Sequence, residues 1–253
     1  MLLFMFKINV NPKRSSMAKF LTTLLEDTNT NAEIISYNTL RKCVGWLGVV
    51  LPFVLYGGSV LFSDCSEVLP SISHYYYSNM TVFFVGILCA EAFFLITYSG
   101  YSRLDNIVTN VAAVFCFGIA IFPTGNDIGY TCLKDGNQFI QADLETLHFM
   151  CAGAFFSILA SMSIWLFTRS GGSNENKKGN VKPMTPEKKM RNKIYVLCGV
   201  VMILSEVIIL IHHLFFKYDL SNPKLTFWFE TLMLVMFGIS WLTKGEVISA
   251  DKK

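Results

Sequence analysis

Charge is scarce in this chain. Asp, Glu, Lys and Arg make up 15% of its 253 residues against 53% hydrophobic residues, and the mean hydropathy is +0.46. So little charge between such apolar stretches argues against a large soluble core and for a membrane protein. Signatures of known chemistry are missing as well. There is no P-loop, no GxGxxG and no nucleic-acid module, so neither a nucleotide nor a nucleic acid is an expected partner. The seven cysteines form no CxxC and no Cys/His ligand spacing, which excludes a zinc ribbon or a thioredoxin-type site. HExxH is absent. Ser71, Ser73 and Ser78 stand near His74 without a GxSxG elbow, so none is expected to be a nucleophile. Nothing in the pattern calls for a metal or a cofactor, and enzymatic activity is not the leading expectation.

What the chain does have is long apolar runs. Six of them, at 43–62, 80–98, 107–123, 146–167, 194–216 and 227–242, are each long enough to cross a hydrocarbon core of about 30 Å. The expected fold is therefore all-α, a polytopic transmembrane helical bundle. Lysine and arginine give its orientation. Of the 21 basic residues only Lys134, Lys217 and Lys224 fall on one side; the rest lie in the N-terminal arm, the 99–106 loop, the 168–193 loop and the tail. Both termini are thus expected to be cytoplasmic, in a multi-pass protein of the cell membrane. Organisation follows directly: an arm at 1–42, spans one to four at 43–167, a basic loop at 168–193, spans five and six at 194–243, and a tail at 244–253. Thr185-Pro186 reads as the N-cap and first residue of a cytoplasmic extension of span five. Residues 16–26 repeat apolar side chains at helical spacing, which fits either a surface amphipathic helix or a loose arm. The opening MLLFMFK is too short for a secretory signal, and Met17 is a reasonable alternative start. Glycines inside the spans (Gly57, Gly58, Gly86, Gly118, Gly153, Gly199, Gly238) are expected to mark close helix packing.

The unusual residues gather on the outer side. All four histidines are there: His74 in the first outer loop, His148 opening span four, and His212 and His213 closing span five. Cys65 and Cys132 are the cysteines of the outer loops, and a bridge between them would tie the two loops together. Two acids, Glu91 and Glu206, lie deep in spans two and five, where a carboxylate is costly. They are expected to face the interior or to pair with a polar neighbour such as Asn110, Ser205 or each other. Glu206 and His213, seven apart, share one helix face.

The segment Pro70-Ser-Ile-Ser-His-Tyr-Tyr-Tyr, the Gly118…Phe122-Pro123 end of span three, the His148 start of span four and the closing Phe227-Trp-Phe-Glu230 stretch resemble six-span bacterial membrane proteins of the DUF998 type. More distantly they resemble the Frag1/DRAM/Sfk1 group. The resemblance covers about residues 38 to 246 and implies architecture first. The eukaryotic relatives are associated with lipid remodelling and membrane trafficking, although Tyr75–Tyr77 stand here where those carry a glycine.

Taken together, these residues suggest an outward-facing mouth lined by Ser73, His74, Tyr75, Tyr76, Pro123, His148 and Glu230 that binds a membrane lipid or small amphiphile. The tyrosines would supply stacking surface, and His148 and Glu230 polar handles. Two alternatives belong to other classes. One is a metal-dependent intramembrane hydrolase using the outer histidines. The other is a proton-coupled transporter using Glu91 and Glu206.

Overall fold

A computed structural model describes residues 38–62, 67–100, 102–125, 141–169, 184–215 and 224–248. The chain from Leu40 onward forms one compact unit. Every regular element among the described residues is helical. They are α1 (Asn38–Phe62), α2 (Thr81–Thr97), α3 (Arg103–Ile121), α4 (Gln141–Ser161), α5 (Pro186–Phe215) and α6 (Leu225–Lys244), with a 3-10 turn at Ile72–Tyr77 that we term the strap. A short π-helix, Met162–Leu166, continues α4.

The ends of these helices follow local chemistry rather than hydropathy. α3 starts four residues before its apolar run because Ser102 and Asp105 form a capping box, each satisfying the other's backbone amide. At α5 the Lys188 amide donates to Thr185 Oγ1 at 3.3 Å, and the helix begins at Pro186. α6 has no side-chain cap; its Phe227 amide donates instead to the Pro70 carbonyl of the strap segment at 2.9 Å.

Five helices (α1, α3, α4 with its π continuation, α5 and α6) are long and apolar enough to cross a membrane. α2 is as apolar but has 17 residues, about 26 Å at the usual helical rise. Neighbours in sequence are neighbours in space from α2 to α6, and α1 lies against α6. The core runs the length of the unit through Leu55, Phe84, Phe155, Leu159, Phe237 and Trp241. At the end away from the strap, the Trp241 ring meets Tyr98, Phe167 and Phe237 edge-on or nearly so. Arg41 lies over Tyr98 and Lys244 over Phe167. The outer surface is apolar, as Leu61, Val82, Val114, Leu197 and Trp165 are all more than half exposed. That is the pattern of a bundle whose solvent is lipid.

Glycine divides the packing. Gly45 of α1 and Gly238 of α6 bring two backbones together: a β-carbon on Gly238 would stand 2.5 Å from the Gly45 carbonyl oxygen. Gly199 meets the Ala160 carbonyl and Ile164, and Gly118 meets Cys151. Gly57 and Gly86, which the sequence suggests as packing points, face open space. Gly45 and Gly48, which pack on α6, were the informative pair. The arm at 1–37, most of the basic loop, and both Cys65 and Cys132 lie outside the described residues.

A methyl group therefore has opposite effects at two glycines. Gly238→Ala should lower stability by about 1–3 kcal/mol through overpacking against backbone. Gly86→Ala should be neutral or slightly stabilising. Thermal melts of the two variants in one detergent make the comparison.

Candidate functional site

The strap is a backbone turn pressed against the ends of apolar helices, so its polar groups need partners there. α6 provides two. Besides the Phe227–Pro70 bond, the Ile72 amide donates to Glu230 Oε2 at 2.5 Å. Tyr77 extends sideways and its hydroxyl donates to the Thr124 carbonyl at 2.6 Å, just past Pro123. An ion pair between Lys224 and Glu67, at 3.8 Å, sits on the surface beside these bonds.

Inside the strap the chain forms two serine–histidine contacts. Ser71 Oγ and His74 Nδ1 share a hydrogen bond of 2.5 Å within one turn. Ser73 Oγ reaches across to α4 and lies 2.8 Å from His148 Nε2. The other ring nitrogen of His148, Nδ1, is 2.7 Å from the Phe122 carbonyl. A carbonyl only accepts, so Nδ1 carries hydrogen in that bond. With the single proton of a neutral imidazole placed there, Nε2 offers its lone pair and the Ser73 hydroxyl donates to it.

Six of the seven residues expected at the mouth thus meet at one end of the bundle through the strap, and Pro123 stands between Phe122, whose carbonyl binds His148, and Thr124, whose carbonyl binds Tyr77. Tyr75 is fully buried, with its ring 6.2 Å from that of Phe227. Its hydroxyl lies by the Leu69 backbone yet completes no hydrogen bond. Tyr76 stacks edge-on against Tyr77 and Phe84. The mouth is not open, however. Ser73, His74 and His148 are each less than a tenth exposed, and their polar atoms engage one another.

Electrostatics follow from this burial. Removal from water, and next the His148 ring, push His74 down from 6.5 to about 4, so it is uncharged at neutral pH. Burial pushes the Tyr75 phenol up to about 12 against the pull of the Leu69 backbone.

The deep acids are placed apart from the strap cluster. Glu91 is buried in α2 near Cys116, with neither carboxyl oxygen hydrogen-bonded. Glu206 receives the Ser157 hydroxyl of α4 at 2.9 and 3.1 Å, a partner different from Asn110 or Ser205. His213 turns to Phe149, with ring centroids 4.8 Å apart. No three His, Cys, Asp or Glu side chains among the described residues are grouped so as to hold a metal ion.

Sequence reasoning set Ser71 near His74 but left it out of the mouth, and gave Phe122, Thr124 and Phe227 no role there. The spacing Ser71-x-x-His74 was a usable signal, since residues three apart meet on a single turn. Phe122 and Thr124 act through backbone carbonyls, which carry no sequence signal, and Phe227 through its amide and its ring. Compared with protein-family models, curated proteins and solved structures, the chain finds no match.

The buried His74 makes stability depend on pH. Between 6.5 and 4 the unfolded chain binds a proton there that the folded chain does not. Stability should therefore fall as pH drops through this window, by at most about 3 kcal/mol at pH 4. Melting from about pH 7.5 to 4 should show this slope, and His74→Gln should flatten it.

Proposed function

We propose that this is a six-span membrane protein with both termini on the basic, cytoplasmic side, and that the strap site receives the polar head of a lipid or small amphiphile. α2 counts as the sixth span on this reading: its 17 apolar residues sit at the short end of the crossing range. The sidedness rests on the distribution of lysine and arginine. Kinship with DUF998-type proteins belongs to the same proposal and rests on the strap, the Phe122-Pro123 end and His148.

One observation carries the binding reading. A cluster of hydroxyls, imidazoles and a carboxyl is gathered where apolar helices end, and the buried Tyr75 hydroxyl within it has no acceptor. An unpaired buried donor costs on the order of 1–3 kcal/mol. The phosphate or ester oxygen of an amphiphile would satisfy it while the acyl chains lie along the exposed faces of the helices.

Purified in mild detergent, the chain should carry co-extracted lipid, and added lipid at a hundred times its Kd should raise stability by about 2.7 kcal/mol. Tyr75→Phe should weaken both effects without unfolding the protein. Finding no retained lipid and no lipid-dependent melting shift would overturn the proposal.

A further inference from the structure

The bond between Ser73 and His148 has a direction, and that direction has a chemical meaning. The Phe122 carbonyl fixes the hydrogen on Nδ1, which leaves Nε2 as a base 2.8 Å from a serine hydroxyl. A nucleophile, a base in hydrogen-bond reach and a third group that orients the base are the parts from which activated serines are built. The orienting carboxylate of the familiar triads is replaced here by a backbone carbonyl. This carbonyl is itself held in place: it belongs to the α3 terminus, where the Phe122 amide donates to Gly118 and Tyr77 anchors the Thr124 carbonyl two residues on.

Ser71 lacks this arrangement. Its partner His74 sits in the same turn, so serine and imidazole are presented by one short segment rather than by two elements. The two serines therefore differ, although the sequence presents them alike.

We propose that Ser73 is an activated nucleophile, with His148 as its general base, that attacks the carboxylic ester of an amphiphile seated at the strap. The proposal rests on the binding reading above for its substrate and on the geometry of the dyad for its chemistry. In the first step a bond forms between Ser73 Oγ and the ester carbonyl carbon, and the hydroxyl proton passes to His148 Nε2. The bond from that carbon to the alcohol oxygen then breaks, and the alcohol leaves with the proton from Nε2. Water adds to the acyl–serine, giving a proton to Nε2. The carboxylic acid departs and Ser73 regains its hydrogen. Ester and water become acid and alcohol, with no other reactant.

Ser73 and His148 are covered by the strap, so the structure is the closed form of this site. The strap hangs on a few bonds, chiefly Ile72 to Glu230 and Phe227 to Pro70, and admission of substrate requires it to lift.

The test uses the full chain in lipid nanodiscs. It is exposed to an alkyl fluorophosphonate, to the smaller phenylmethanesulfonyl fluoride, and to p-nitrophenyl octanoate as ester. The expected results are one adduct per chain, mapped by peptide mass to Ser73, and release of p-nitrophenol. Ser73→Ala should abolish both, and Ser157→Ala, on α4 and apart from the strap, should leave both. His148→Gln should slow both by about 10²–10⁴-fold and remove the dependence of labelling rate on a titrating base. Melting curves show which variants fold, and adduct mapping on the unaltered chain does not depend on any variant. Absence of adduct from both electrophiles overturns the proposal. So does an adduct elsewhere, or labelling at Ser73 that His148→Gln leaves at full rate. An adduct at Ser73 without ester turnover upholds the nucleophile and overturns the ester assignment. Retained lipid without any adduct leaves the binding reading standing while the nucleophile falls; an adduct without retained lipid does the reverse.

Discussion

Glu230 reaches from the first turns of α6 to the Ile72 amide, and the placement of the strap depends on that bond. A 3-10 turn has too few internal hydrogen bonds to sit against apolar helices on its own, and each amide left bare there is costly. With Ile72 satisfied by Glu230, and Phe227 by Pro70, two elements that each lack a cap supply one another's missing partners. The strap then has a fixed height and rotation. Ser73 faces α4, Tyr77 faces the α3 terminus, and Tyr75 enters the core beside Phe227.

Much of the architecture was legible because membrane helices announce themselves by length and hydropathy. The runs at 43–62 and 227–242 needed only extension at their ends, and the Thr185-Pro186 signal marked the start of α5 correctly. Ser102 and Asp105 could have been read as a capping box but were overshadowed by hydropathy, which placed α3 too late. Glycine was a weaker guide. Gly57 and Gly86 look the same as Gly238 in sequence, and only the facing helix separates a packing contact from an exposed gap.

The gathering of Ser73, His74, Tyr75, Tyr76, His148 and Glu230 was legible as proximity to one end of the spans, since each neighbours a helix terminus. Their mutual geometry was not. Whether His148 would turn to a carboxylate, a metal or a hydroxyl depends on the Phe122 carbonyl, and a carbonyl is common to every residue. The reading of Ser73 was made without sight of its partner for the same reason. It looked for an elbow in the local sequence, and the partner of Ser73 stands 75 positions away.

The π-helix at Met162–Leu166 adds something of a different kind. Phe167 bonds back to Met162, five residues earlier, so α4 holds one residue more than its length requires. The bulge is the last turn of the helix, since Phe167 and Thr168 already belong to a turn. Within it Ser163 donates to the Tyr195 carbonyl of α5 and shares a hydrogen bond with the Ser240 hydroxyl of α6. The end of α4 is thereby pinned to two neighbouring helices through one hydroxyl, so a change at Ser163 is felt by three helices rather than one.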